Sequence, residues 1–255
     1  MFKLFIMGLV MGLVLSLVIG IGASRVQEKS AEQIKYEKEL PDATPVQSRV
    51  LTERQRVHSS RFTFYRKGGP RMISELAARA KAKGHMTAEK VVMPGDIQRI
   101  EPVAPETFFG ELTRESDAVI RGKVKKKTSQ VTEDEAFLFT DYDVAVEEVF
   151  KDNIAAPLAL GTVITVTRPG GKVLLDGVIV TATDRIWLPL PTNGQDIVLY
   201  LKFLPETGAY YAVRGDTAYE IDGTLVQPLT QARLPLGIVQ NRDSFLGTVR
   251  TVSSK

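Results

Sequence analysis

Three acids stand close together in one stretch of the chain, Asp141, Asp143 and Glu147. In a regular strand, residues two apart point to the same side, so these three share one face. Carboxylates so placed can bind a hard cation through oxygen ligands, or divide the roles of general acid and general base between them. That is the chemistry of a cation-dependent, hydrolase-like enzyme with Asp141, Asp143 and Glu147 as its catalytic residues. The preceding strand, however, carries Arg121, Lys123 and Lys125 on its polar face. Across a hairpin these cations would meet the acids as cross-strand ion pairs, a purely structural use of the same residues.

Other chemistries are bounded by composition. The chain has no cysteine, which excludes a disulfide framework, a thiolate zinc site and a cysteine nucleophile. Its two histidines, His58 and His85, cannot make a three-histidine site, belong to no HExxH pair and are expected to be exposed. No metal site and no cofactor are therefore expected. There is no Gly-x-Ser-x-Gly elbow, and Ser116 and Ser244 read as helix-boundary residues. Gly170-Gly171 follows Pro169 without a P-loop or GxGxxG around it, which makes it a turn. Trp187, in Ile186-Trp187-Leu188-Pro189-Leu190-Pro191, is placed either to line a groove for a sugar or Pro-rich peptide or to plug the end of a barrel.

The elements that must carry these residues follow from patterning over 255 residues. From Leu4 to Ala23 every residue is apolar or small, with Lys3 just before. At about 1.5 Å per residue a helix of that length spans roughly 30 Å, a bilayer's hydrocarbon core. Residues 1–23 thus read as a signal peptide cut near Ala23 or as an uncleaved membrane anchor. Either places the rest outside the cytoplasm, as a periplasmic protein on the inner membrane or as a secreted one.

Residues 24–105 are polar and punctuated by prolines, and read as a partly disordered arm. The arm is basic, with 16 Lys or Arg against 10 Asp or Glu, whereas residues 106–255 carry 16 against 20. One helix is expected inside it over 70–84, with Met72, Ile73, Leu76, Ala77 and Ala80 on one face. Arg66, Lys67, Arg71, Arg79, Lys81 and Lys83 then form a basic surface for an anionic membrane or a partner. Phe62, Phe64 and Tyr65 alternate like an edge strand.

From residue 106 to 255 the pattern changes to short strands. A helix over 106–115 precedes a strand of alternating Ala118, Ile120, Gly122 and Val124, and Leu138 to Glu147 supplies its hairpin partner after a turn at 132–135. A β-branched run, 162–167, ends at Pro169-Gly170-Gly171. Asp176-Gly177 has the two residues a tight hairpin turn needs. Residues 197–204 are apolar on both faces, as a doubly covered strand should be. Strands over 210–214, 217–221 and 224–226 follow, the last two around a turn at Asp222-Gly223. A closing helix then presents Phe245, Leu246, Val249 and Val252 on one face, with Asp243 as N-cap. The fold class is mostly β, a small OB-like β-barrel with flanking short helices, since crossover helices between strands are missing.

Ser116-Asp117-Ala118-Val119-Ile120-Arg121-Gly122-Lys123-Val124, with the run from Thr140 to Lys151, resembles uncharacterised exported bacterial proteins. Ile164 to Gly171 and Asp196 to Leu201 fit the same pattern, and the likeness covers about 116–213. That group in turn resembles the barrels of netrin and metalloproteinase-inhibitor domains. The resemblance implies an OB-type fold and an address outside the cytoplasm. It implies no protease inhibition, because the inhibitory N-terminal cysteine of those domains has no counterpart.

The function expected from sequence is therefore a non-enzymatic exported or membrane-anchored envelope protein whose barrel binds another protein. Residues 4–23 would hold it to the membrane if uncleaved. The alternatives are the cation-dependent enzyme and a nucleic-acid- or saccharide-binding OB-type module. Export and the acidic balance of 106–255 argue against nucleic acid.

Overall fold

The computed structural model describes residues 29–68, 72–92, 103–215, 217–230 and 241–254. The apolar run of residues 1–23 lies outside the described residues, as do Arg71 and the side chains of Arg66 and Lys67. No helix among the described residues is long and apolar enough to cross a membrane.

The chain is mostly β, with two sheets and short helices. Two strands, β3 (Ala118–Val131) and β4 (Leu138–Lys151), follow the short β1 (Thr44–Pro45) and β2 (Thr87–Val92) and form one long antiparallel hairpin. After it come β5 (Val163–Pro169), β6 (Gly171–Leu175), β7 (Val178–Asp184), β8 (Asp196–Leu204), β9 (Ala209–Ala212), β10 (Ala218–Asp222) and β11 (Leu225–Pro228). The larger sheet has the order β11-β10-β8-β3-β4-β5-β9, and β9 pairs a second time with β8. The β5–β9 pairing is parallel; the rest of this sheet is antiparallel. The smaller sheet has the order β1-β6-β7-β2, its outer strands running parallel to their neighbours.

The expected turns recur. Thr132 Oγ1 accepts from Phe137 N (3.0 Å) and donates to Asp134 Oδ1 (2.8 Å), holding the turn of the long hairpin with Glu135 at φ +53°. Asp176 (+53°) and Gly177 (+85°) take the two positive φ angles between β6 and β7. Gly170 and Gly171, at +91° and +146°, are the corner where the chain leaves the larger sheet for the smaller one. The β10–β11 turn lies one residue later than expected, at Gly223-Thr224, because Asp222 still pairs with Leu225.

Alternation along β3 and β8 feeds two cores at once. Ala118, Ile120, Ile197, Leu199 and Leu201 point into the first, with Val144 and Val166. Val119, Val198 and Tyr200 point into the second, against α4 (Pro105–Glu115) and α5 (Arg242–Ser253), which supply Phe109, Leu112, Phe245 and Val249. The closing helix starts two residues earlier than expected: Asn241 is its N-cap, its side chain accepting from Ser244 N (2.9 Å), and Asp243 sits in the first turn.

The largest departure concerns the stretch expected to be a partly disordered arm. It contains α1 (Ala31–Glu39), α2 (Glu53–Ser60) and α3 (Ile73–Ala82), besides β1 and β2. Leu51, Phe62, Tyr65, Ile73, Ala77 and Ala80 are buried in a third core with Phe137, Phe139 and Val180. The apolar residues enter it singly between charges, and β1 and β2 pair with strands about ninety residues or more away, so no local periodicity announces them. The helix expected over 70–84 is α3. Phe62, Phe64 and Tyr65 are not on an edge strand: Thr63–Gly68 is a 3₁₀ helix, which buries Tyr65 against Phe137 at 4.0 Å between ring centroids.

Two consequences can be measured. A Cβ at Gly122 would collide with the cross-strand carbonyl oxygen of Ala145, so Gly122→Ala should lower unfolding free energy by about 1–3 kcal/mol in urea titrations. Burial pushes the Asp117 carboxyl up, but its contacts with Lys202 Nζ (2.8 Å) and Phe203 N (2.9 Å) outweigh that and leave it below the ordinary aspartate value. Its contribution is present above the unfolded-state value of about 4 and lost as pH falls through the lower folded value. The acid decline in stability should therefore be shallower in Asp117→Asn, which lacks this titration.

Candidate functional site

The three acids on β4 share a face, as the strand period requires, but each faces a different partner. Asp141 receives His58: Nδ1 lies 2.9 and 3.0 Å from the two carboxylate oxygens, and Nε2 lies 3.1 Å from Thr207 Oγ1. Asp143 Oδ1 accepts from Thr165 Oγ1 at 3.3 Å. Glu147 pairs with Lys123 at 3.0 Å. Among the described residues no group of three His, Cys, Asp or Glu side chains is placed to hold a metal ion. Of the expected cross-strand cations, Lys123 pairs with Glu147 and Arg121 reaches Glu148 (3.4 Å). Lys125 sits at the irregularity between Val124 and Lys126 and falls out of this register.

His58 was expected on the surface and is fully buried. It lies on α2, whose N-terminus is fixed by a reciprocal Thr52–Gln55 capping box. Arg54 Nη2 donates to Thr165 Oγ1 (2.7 Å), and the Arg61 guanidinium lies 5.4 Å from the Tyr211 ring centroid. Carboxylate, imidazole and hydroxyl in a row resemble a hydrolytic triad in order. The backbone N–H groups of Thr207 and Gly208 both donate to Leu204 O (3.1 and 2.9 Å), so neither is left to stabilise an oxyanion. The geometry instead pins α2 onto the β4–β5–β9 face. His85, by contrast, is more than half exposed and meets Glu32 at 3.3 Å.

A second arrangement lies where the two sheets part. Ile164, Val166 and Arg168 alternate on one face of β5, and the first two enter the core. Arg168 is carried to the same depth and is 1% exposed. Its Nη2 donates to Leu188 O (3.0 Å), and its guanidinium stacks 5.3 Å from the Trp187 ring centroid. Nε and Nη1 have no hydrogen-bond partner among the described residues. Burial draws its pKa down to about 10, with the nearby Tyr142 and Tyr65 acting the other way.

Trp187 is half-buried, and its backbone N–H donates to Asp184 O (3.0 Å). Its segment is held from behind by Gly215, where a Cβ would strike Ile186. Tyr65 donates to Asp184 Oδ2, and Ile186 N donates to Asp184 Oδ1 (2.8 Å). The burial of Tyr65, then this contact with Asp184, raises its phenol well above the usual range. In front of Trp187 is a cavity of about 190 Å³, lined by Tyr142, Thr140, Gly170, Lys127 and Lys172 among others. Lys172 lies 3.5 Å from both Glu39 and Asp42, and Lys127 pairs with Asp42.

Of the basic surface expected on the arm, Arg79, Lys81 and Lys83 are exposed on and just after α3, and Lys81 Nζ donates to Asp176 O (3.1 Å). Of these residues the sequence marks Trp187 for a groove or a barrel plug, sets Tyr65 on an edge strand and gives Arg168 no role. A signal for Arg168 was present: it continues the inward positions 164 and 166 with a charge. No protein-family model matches the chain, and a comparison with curated proteins finds no match.

Removing the His58 ring would leave the Asp141 carboxylate, 19% exposed, without its main partner. His58→Ala should cost about 1–3 kcal/mol of stability and speed amide exchange across α2 before the β4–β5 pairing is affected. Exchange followed by mass spectrometry reads both.

Proposed function

We propose that this chain is a non-enzymatic, exported or membrane-anchored binding module, with its ligand seat in the cavity beside Trp187. The observation that carries the reading is a cavity with an aromatic wall and two lysines at the meeting of two sheets, while the β4 acids are committed one by one to His58, Thr165 and Lys123. Sites of this kind, apolar or aromatic with a few convergent polar groups, are where ligands bind. The cycle of pairings β3–β4–β5–β9–β8–β3 supports reading the larger sheet as a five-stranded OB-like barrel. In that reading the cavity lies at one end of the barrel, with Trp187 over it. The apolar run Leu4 to Ala23 supports the address outside the cytoplasm. The partner is a protein of the envelope.

A photo-crosslinking amino acid at Lys172, in the full chain made in cells, tests this. The expected result is a discrete adduct in the envelope fraction that is lost on Trp187→Ala. The reading falls if no adduct forms there, or if the purified protein turns over a substrate in a manner abolished by Asp141→Asn.

A further inference from the structure

No residue of α1 is buried, and charged side chains tie the helix down. Glu32 accepts from Met86 N (2.8 Å) and meets His85 Nδ1 (3.3 Å), which fixes the first turn of α1 beside the end of α3. Glu39 pairs with Lys172 at 3.5 Å. By the helical period Glu32, Tyr36 and Glu39 share one face, and all three are half-buried. The opposite stripe, Ala31, Ile34, Lys35 and Lys38, is exposed and contains no acid. Ile34 is 56% exposed on it, an aliphatic side chain set among lysines.

The neighbouring end of α3 is cationic. Arg79, Lys81 and Lys83 are exposed in and just after its last turn. The acids at this end are already paired: Glu32 with His85, Glu37 with Lys29 (2.6 Å) and Asp176 with Arg49 (3.1 Å). The other acids of these elements are Glu75, in the first turn of α3, and Glu89, inside β2. Against those two stand five cations. Lys81 Nζ donates to the backbone oxygen of Asp176, and Lys35, Lys38, Arg79 and Lys83 have no ion pair among the described residues. A helix C-terminus attracts cations through its dipole, which accounts for Arg79 and Lys81 but not for the lysines of α1.

The chain arrives at this same surface from the apolar run. Only residues 24–28 separate Ala23 from Lys29, and even fully extended they reach roughly 20 Å. They add one charge of each sign, Arg25 and Glu28. With the run in a bilayer, α1 and the end of α3 are kept close to the headgroups. We infer that the domain rests on the anionic headgroups of that bilayer through the outward stripe of α1 and the last turn of α3, with Ile34 entering the headgroup layer between the lysines. This rests on the reading of Leu4 to Ala23 as an uncleaved anchor, and it adds a second surface to the ligand seat beside Trp187. Lys and Arg clustered next to an anchor are drawn to anionic lipid, and a helix stripe of lysines around an aliphatic residue suits the interface.

The chain has no cysteine, so a single introduced one carries a donor dye without competition. Two positions are compared in the full chain reconstituted into vesicles: Ala82→Cys, exposed beside Lys83, and Gln227→Cys, exposed on β11 at the far edge of the larger sheet. The vesicles are phosphatidylcholine alone or mixed with phosphatidylglycerol, with an acceptor dye on the headgroups. The expected result is energy transfer from position 82 at least about twofold above that from 227 in the mixed vesicles, the difference shrinking in phosphatidylcholine and in high salt. Arg79→Gln, Lys83→Gln and Lys35→Gln together should bring it to the phosphatidylcholine level at an unchanged unfolding temperature, since all three side chains are exposed. The lipid comparison needs none of these three substitutions and stands whatever they do to folding. Equal transfer from the two positions, or transfer at 82 indifferent to the anionic lipid, in a chain that floats with the vesicles would overturn the headgroup contact and leave the anchor reading. A chain that does not float with the vesicles would remove both. A response at 82 to soluble polyglutamate, with none to phosphatidylglycerol, would overturn the inference and give the surface to an acidic protein.

Discussion

The β3–β4 hairpin is longer than one core can cover, and most of the remaining structure answers that excess. Each strand has 14 residues, roughly 45 Å of extended chain. β8 lies against β3 only from Ala118 to Gly122, and β5 follows β4 from Phe139 to Ala145. The far end carries Phe137, Leu138 and Phe139, all fully buried, which the larger sheet alone would leave in water. Burying such side chains is worth roughly 1.5–3 kcal/mol each. The smaller sheet and the segment before residue 92 supply the cover. That is why a stretch so polar folds: its scattered Leu51, Phe62, Tyr65, Ile73 and Ala77 close a core whose other half is the hairpin tip.

The same arrangement creates the corner at Arg168. β5 ends where the larger sheet stops, Gly170 and Gly171 turn the chain into β6, and Trp187 comes back over the gap on the segment after β7. Glycine is needed at position 171 because a Cβ there would lie 2.6 Å from Ser129 Oγ, besides contacting Thr140 Oγ1. Ser129 and Thr140 are themselves hydrogen-bonded across the hairpin at 2.8 Å, and Thr140 Oγ1 donates to Gly170 O at 2.7 Å. The corner is thus tied on the hairpin side by these hydroxyls, and on the Trp187 side by Ile186 N to Asp184 Oδ1 (2.8 Å), Leu188 N to Leu229 O (3.2 Å) and Arg168 Nη2 to Leu188 O (3.0 Å). A charge held there against the general expense of burial is the point at which stability and binding pull apart.

Much of the β framework was legible in the sequence because it is local. Alternation from Ala118 to Val124 and from Leu138 to Glu147, the Asp176-Gly177 turn, and the doubly apolar run Ile197 to Leu204 each declare their structure within a few residues. What escaped the sequence is non-local. The parallel pairings of β1 with β6 and β2 with β7 join residues far apart, and α2 is docked by polar contacts of Arg54, His58 and Arg61 that carry no apolar signature. His58 read as an exposed arm residue because its partners, Asp141 and Thr207, lie 83 and 149 positions away. Trp187 stood out by type, as a groove residue or as a plug at the end of a barrel. The charge behind it was hidden because Arg beside Pro169 looks like the polar end of a strand.

The buried charge of Arg168 is the claim on which the functional account stands. The ¹⁵N–¹H signal of its Nε group, assigned by loss in Arg168→Met, tests that claim at the atom concerned. In the free protein the account predicts a signal shielded by the Trp187 ring, which loses that shielding in Trp187→Ala. A signal indifferent to Trp187→Ala, or one carrying the shift of a carboxylate-bound guanidinium in the free protein, would contradict it.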